Sequence, residues 1–398
     1  KDFDFINDSI EAYIDGEWVT ANGTTLGADN GIGMAAILAV MEDDTIEHGP
    51  IEGLITATEE TGMDGAFGLK GGILQGEILL NLDSETEGEL YVGCAGGVDV
   101  NGEMPYEPVA APAEGYKALE LSVKGCKGGH SGIQIVCQRA NANKLLFRML
   151  LAIEEQMDMK LASVDGGGLR NAIPREAVAV IMVKEADVEQ AKSIVAEYEQ
   201  KFVAEFAGVE DSIAVAVAEV ATPEVVMGVA KNLIRAILAC FDGVYTMSMS
   251  MEGLVQTSNN LARVVSDGEC VKIQTLMRSS VRSEKESLAD SIKACFELAG
   301  AEVVLSGSYD GWNPNMESPI LKAMLASYEA LYGKAPAVTA IHAGLECGII
   351  GSNYPELDMI SFGPTICYPH SPDEKVEIAS VAKFYDFLLH TLKNAPKK

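Results

Sequence analysis

The chain has 398 residues, 48% of them hydrophobic and 22% charged, with 29 Lys+Arg against 59 Asp+Glu and a formal net charge of −30. That much apolar mass excludes a disordered chain, and the length exceeds the roughly 250–300 residues over which one core usually grows, so two domains are expected. So acidic a surface repels phosphate backbones and anionic headgroups, which argues against nucleic acid and membrane surfaces as partners, and no uncharged run approaches the roughly 18–20 residues of a membrane helix.

Short apolar runs alternate with helical stretches at the start of the chain. Residues 32–41 are an Ala-rich run of helical length. Residues 51–58, 77–82 and 89–93 read as buried strands, with the glycine pairs 71–72 and 96–97 as turns. Strand–helix–strand order predicts an α/β layer. Pro108, Ala111, Pro112 and Ala113 then make a linker-like stretch. Beyond it, strands over 117–123, 177–183 and 212–220 alternate with helices over 140–157 and 186–206. A similar series follows, with strands near 261–265 and 271–276, a helix over 283–299 and a strand over 302–306. The end of the chain returns to the α/β alternation of its start. A helix over 318–332, opened by Ser318-Pro319, precedes strands over 337–341 and 359–362, a loop over 363–373 and a helix over 376–392. The simplest architecture is one α/β domain from residues 1–97 and 313–398, with an α+β domain of residues 98–312 inserted.

The eight cysteines, at 94, 126, 137, 240, 270, 295, 347 and 367, form no Cys-x-x-Cys pair, so a zinc ribbon or thioredoxin-type site is excluded. Their scatter predicts reduced, mostly buried thiols and a reducing, cytoplasmic compartment. The first residue is Lys1 and no signal-peptide pattern follows it.

The chemistry concentrates in acidic residues. Asp29 lies just before the first helix, Glu59 and Glu60 follow the run 51–58, and Asp83 follows the run 77–82. In open α/β sheets, ligands bind beyond the carboxyl ends of strands. Four carboxylates gathered there repel one another and need a counter-charge, for which a divalent metal is usual. Of the five histidines, His370 in the Pro-rich loop Cys367-Tyr368-Pro369-His370-Ser371-Pro372-Asp373 is placed as a ligand. Carboxylate and imidazole donors suit zinc, manganese or cobalt. Taken singly, each residue has a plainer role. Asp29 could cap a helix, Glu59-Glu60 could be a solvated turn, Asp83 could turn through Ser84, and His370 could be a loop histidine. His342 reads as a core residue, and His48 and His390 as surface. The ordered set points to a site.

Gly27-Ala28-Asp29-Asn30-Gly31-Ile32-Gly33, Thr58-Glu59-Glu60-Thr61-Gly62-Met63-Asp64-Gly65-Ala66, Asn81-Leu82-Asp83-Ser84-Glu85 and Gly128-Gly129-His130-Ser131-Gly132 resemble the aminoacyl-histidine dipeptidases, the bacterial carnosinase-like branch of the M20 metallopeptidases. The resemblance continues through Gly344-Leu345-Glu346-Cys347-Gly348 to Pro369-His370-Ser371-Pro372. It implies an α/β catalytic domain with a mixed sheet flanked by helices and an inserted α+β lid and dimerisation domain. It also implies two Zn2+ ions, with Mn2+ or Co2+ as alternatives, and hydrolysis of dipeptides, including Xaa-His dipeptides such as carnosine. By the same resemblance Asp29 bridges the two ions, with Asn30 following through a strained peptide. Glu59 is the general base, Glu60 and His370 complete the shell of one zinc, and Asp83 belongs to the other. His130 stabilises the oxyanion, while Asn171, Arg278 and Gly344 position the substrate and its carboxylate. A homodimer through the inserted domain is implied, with His130 serving the partner's site. The residue types suit these roles: a carboxylate base, a donor for the oxyanion and an arginine for a free carboxylate.

Two alternatives stand beside this reading: an M20-type deacylase of N-acyl amino acids, and a catalytically impaired chain with a binding role only. The family pattern also carries a His-x-Asp motif upstream of its Ala-Asp-Asn, and residues 1–28 contain none. The expectation is therefore an amino-terminal segment ahead of Lys1 bearing a further zinc ligand. Without it the chain should hold one metal better than two and hydrolyse peptides poorly.

Overall fold

The computed structural model describes residues 3–397. The chain divides into two compact units, one from Lys1–Cys94 with Gly311–Lys398, the other from Ala95–Asp310. The first contains a mixed four-stranded sheet in the order Ala337–Ile341, Glu89–Cys94, Asp358–Ser361, Ile78–Asn81. Its two outer pairings are parallel and its central one antiparallel, so the expected mixed sheet is found. Helix Pro319–Tyr332 begins where the sequence signals it. The Ser318 hydroxyl accepts the Leu321 N–H at 3.1 Å and donates to Asp358 at 2.6 Å, and Pro319 takes the first turn, where its missing N–H costs nothing. Tyr328 of this helix and Phe384 and Phe387 of helix Ile378–Asn394 meet one another or Phe362 as tilted and edge-on rings 5.2–5.5 Å apart.

A second, antiparallel sheet of the same unit runs Ala12–Asp15, Trp18–Ala21, Lys375–Glu377, Ile366–Cys367. Its register, Trp18 opposite Glu377 and Thr20 opposite Lys375, fixes what lies beside the site. The chain leaving Ala21 toward Asp29 runs alongside the chain that reaches Lys375 from His370. Val19, Leu26, Ala28, Ile32, Ile366 and Val376 form the apolar cluster beneath it.

In the second unit, strands Ala214–Val220, Tyr116–Lys124, Ala177–Lys184, Lys160–Gly167, Val255–Ser266, Cys270–Ser279, Gly96–Pro105 and Glu302–Tyr309 follow one another with antiparallel neighbours. Alternate residues such as Leu119, Leu121, Val123, Ala177, Ala179 and Ile181 point to one face. There they share a core with Phe147, Phe202, Ile234 and Phe296 from the helices, so the helices cover that face.

Several expectations need correction. Residues 51–58 form no strand: none of them is buried, and they pair with no strand among the described residues. Their polar groups are met otherwise, as Gly65 N–H donates to the Ala57 carbonyl at 3.0 Å and the Thr56 hydroxyl to Glu346 at 2.8 Å. Gly96 and Gly97 are not a turn but open a ten-residue strand. A Cβ on Gly97 would stand 2.7 Å from the Tyr309 ring, so glycine here makes room for a neighbouring strand. The linker-like stretch contains strand Pro108–Ala110, paired with Val225–Met227. The hairpin of residues 12–21 and helix Ala230–Ala239 have no counterpart among the expected elements. All eight cysteines are free, but only Cys94, Cys126, Cys240 and Cys347 are buried, so half of the thiols, rather than most, are inside.

Phe147 is fully buried among these helices and strands. Phe147→Ala should cost about 3–5 kcal/mol, lost transfer energy plus an unfilled cavity, and urea unfolding followed by circular dichroism measures it.

Candidate metal centre and active site

Asp29 stands at the irregular start of helix Ala28–Glu42, with a side chain only 11% exposed. Asp29 and Asn30 both have non-helical backbone angles, and the peptide between them is cis. The regular helix is capped by Asn30, whose Oδ1 accepts the Gly33 N–H at 3.0 Å. A Cβ on Gly33 would lie 2.8 Å from the Leu82 carbonyl oxygen, so glycine lets this turn rest against the segment that carries Asp83. Asp83 follows strand Ile78–Asn81, as expected from its place in the sequence. Glu59 and Glu60 do not follow a strand. They open the short helix Glu59–Gly62, entered through Thr58 in the left-handed region.

His370 lies on the loop between Cys367 and Lys375, where both Tyr368 and His370 have positive φ. Non-glycine residues hold such angles only where their surroundings enforce them. Here Ser371 Oγ donates to the Tyr368 carbonyl at 3.0 Å and accepts the Asp373 N–H at 3.1 Å. The loop brings His370 Nε2 to 3.0 Å from Asp29 Oδ2 and 2.8 Å from Glu60 Oε2. Asp29, Glu60 and His370 thus offer one nitrogen and two oxygens, all within 4.8 Å of one another, a donor set that fits a borderline divalent cation.

The electrostatics point the same way. Burial pushes Glu59 up to about 7, helped by Glu60, Glu346 and Asp29, with His370 opposing. Burial also pushes Asp83 up to about 8, reinforced by Asp29, Glu59, Glu346 and Glu60. Glu60 is raised by burial and by Asp29. Burial disfavours the charged imidazole of His370, but Glu60 and Asp29 outweigh it and raise its pKa. Carboxylates that resist ionising beside an imidazole with a raised pKa mark a surplus of negative charge, which a divalent ion would neutralise.

Two acidic residues of the site carry no assignment from the sequence. Glu346, within the motif around Gly344, is 7% exposed. Its Oε2 accepts from Thr56, its Oε1 has no hydrogen-bond partner, and its charge reaches both Glu59 and Asp83. A lone acid opening the apolar run Glu346-Cys347-Gly348-Ile349-Ile350 is the one signal that points to it. Glu374 is 1% exposed and accepts from the Thr25 hydroxyl and from the N–H groups of Leu26, Gly27, Ala28 and Asp29 at 2.7–3.1 Å. Burial works to raise its pKa, but the Thr25 hydroxyl and these backbone donors outweigh it and hold the carboxyl below its ordinary range.

Gly344 belongs to the first unit, in the loop before helix Glu346–Asn353. His130, Asn171 and Arg278 belong to the second. His130 Nδ1 accepts the N–H groups of Gly132 and Ile133, each at 3.1 Å, which leaves the proton of the neutral ring on Nε2. Burial, then the charge of Arg278, lowers its pKa and keeps the ring neutral. Asn171 is next in space, since its carbonyl accepts the Ser131 N–H at 2.8 Å. Arg278 is 6% exposed and its Nη1 donates to the Tyr309 hydroxyl at 3.4 Å, while Nε has no acceptor.

The donor set fits a divalent cation, and comparison with known proteins shows the family. Residues 7–394 match the model of peptidase family M20/M25/M40, and the chain belongs to this family. It is 46% identical over 398 residues to the cytosol non-specific dipeptidase of Escherichia coli (strain K12), covering 99% of this chain and 82% of that protein. The crystal structure of aminoacylhistidine dipeptidase from Vibrio alginolyticus matches with a TM-score of 0.95 and 45% identity, over 100% of this chain and 81% of that one. Aminopeptidase PepT from Bacillus cereus shares the fold, with a TM-score of 0.53 and 16% identity over 98% of this chain and 77% of that one.

Of the expected ligands, Asp83 is raised to about 8 and His370 is raised as well, and a bound cation must displace the protons they hold. Zinc affinity should therefore rise with pH up to about 8, with protons released on binding. Calorimetric titration in two buffers of different ionisation heat measures this, and affinity independent of pH without proton release would contradict it.

Proposed function

We propose that the protein is a metal-dependent dipeptidase in which Asp29, Glu60, Asp83 and His370 hold two divalent cations, zinc in the first place. The observation that carries this reading is the Asp29–Glu60–His370 donor set within 4.8 Å, with the raised carboxyls of Glu59 and Asp83 beside it. Asp29 is assigned to both ions, Glu60 and His370 to one and Asp83 to the other. A bound divalent cation polarises a scissile carbonyl and makes water more acidic.

The chain's own groups do the rest. Glu59, a carboxylate beside the donor set, is suited to take the proton of the attacking water and return it to the departing amine. The Nε2–H of His130 is a neutral donor for the oxyanion that forms as the carbonyl carbon becomes tetrahedral. Arg278, with spare guanidinium donors, pairs with the free carboxylate of the substrate, and Asn171 and Gly344 orient it.

Substrates in this reading are dipeptides with both ends free, Xaa-His dipeptides such as carnosine among them. The names of the two long-matching relatives favour dipeptides over N-acyl amino acids. The Glu59–Glu60 pair argues against a binding role only, because a scaffold without catalysis has no use for a base beside a ligand. Assembly as a homodimer through the second unit is part of the proposal, with His130 serving the partner's site. The outermost strands of its large sheet, Ala214–Val220 and Glu302–Tyr309, are mostly exposed and suit such pairing. A cytoplasmic location is supported by the name of the E. coli relative and by eight free cysteines. Among the described residues no helix is long and apolar enough to cross a membrane.

Glu59→Gln should lower kcat by about 10²- to 10⁴-fold while metal content, read by plasma mass spectrometry, stays at the parent's level. Unchanged turnover would remove Glu59 as the base. Arg278→Ala should raise KM by at least about tenfold, the value of a charge-assisted hydrogen bond, with a smaller effect on kcat. A panel of dipeptides against N-acetyl amino acids tests the substrate class, and faster turnover of the N-acetyl compounds would overturn it.

A further inference from the structure

Glu374 has no place in the chemistry above, yet it is among the most buried acids of the chain, at 1% exposure. Its oxygens are divided between two sets of donors. Oε2 takes the Thr25 hydroxyl and the N–H groups of Leu26 and Gly27, and Oε1 takes those of Ala28 at 2.8 Å and Asp29 at 3.1 Å. Five donors from five consecutive residues converge on one carboxylate, and the last is the backbone of Asp29 itself. Gly27, at φ 76, lets the chain curl so that successive N–H groups point inward. Glu374 also lies four residues beyond His370, and the Thr20 hydroxyl donates to its carbonyl at 2.8 Å, in line with the pairing of Thr20 and Lys375.

We propose that Glu374 is a positioning residue of the metal centre, holding the Asp29 turn against the loop that carries His370 and so setting the spacing of these two donors. The proposal rests on the reading of Asp29 and His370 as metal ligands. The chemistry of the contact makes it specific to a glutamate. An amide in its place would turn an NH₂ group toward backbone N–H donors, donor against donor. An aspartate is one methylene shorter and cannot keep both oxygens on their donors. Ligand geometry in metal sites depends on such supporting contacts, and their loss typically costs about 10- to 100-fold in metal affinity or activity.

The test compares the full chain with Glu374→Gln and Glu374→Asp, each stripped with a chelator and checked for folding by circular dichroism. Zinc affinity is measured by competition with a chromophoric chelator, and the cobalt-loaded forms by visible absorption. Glu374→Gln should bind zinc about 10- to 100-fold more weakly, shift the cobalt absorption, and lose kcat rather than gain KM. Glu374→Asp should restore part of the loss. A folded Glu374→Gln with parental zinc affinity and an unchanged cobalt spectrum would overturn the proposal, since a merely structural anchor alters unfolding alone. If Glu374→Gln does not fold, Thr25→Val, which removes only the hydroxyl donor, should weaken zinc severalfold and shift the cobalt spectrum, and parental values there would overturn it equally. Failure of the parent to bind either metal would defeat the ligand assignment itself, and that is read from the parent alone.

Discussion

Four carboxylates, of Asp29, Glu59, Glu60 and Asp83, lie within electrostatic reach of one another in the first unit, with the imidazole of His370 among them to offset part of the charge. Such an arrangement is unfavourable by itself. Burial removes the water that would screen it, so part of the cluster stays protonated near neutral pH. The segments that carry these groups are held together by contacts made outside these four carboxylates: the register of Trp18–Ala21 on Lys375–Glu377, the close approach at Gly33, and the Thr56–Glu346 hydrogen bond. The fold therefore imposes a concentration of negative charge that a divalent cation is suited to relieve.

The same constraint explains why the site residues lie on irregular backbone. Asp29 precedes a helix in non-helical conformation, Glu59 follows a left-handed Thr58, and His370 is itself left-handed. Side chains at regular positions of one strand or helix diverge at fixed angles. Convergence of donors from three separate segments requires departures from that regularity, and such departures cluster at functional sites. The second unit, taken by itself, holds a neutral imidazole with its proton on Nε2 and a buried arginine with donors to spare.

Much of this is legible in the sequence because some signals are local. Ser318-Pro319 announces a helix start, and Asp83 sits just past an apolar strand that does form a ladder. The residues proposed as ligands are legible through their motifs, and three of them, Asp29, Glu60 and His370, come together as a donor set. What cannot be read depends on partners distant in the chain. Residues 51–58 have the composition of a strand but no ladder among the described residues, and composition carries no information on pairing. Gly96-Gly97 reads as a turn because the Tyr309 ring that excludes a side chain there is over two hundred residues away. Glu374 is unrecognisable because its partners are backbone N–H groups, which every residue but proline carries.

The central claim is that the charge gathered around Asp29 is a metal centre. The most direct measurement is zinc anomalous scattering from crystals of the zinc-loaded protein. The account predicts a zinc peak at coordinating distance, about 2.0–2.2 Å, from oxygens of Asp29 and Glu60 and a nitrogen of His370. Zinc bound elsewhere on the chain, with these three side chains uncoordinated, would contradict it.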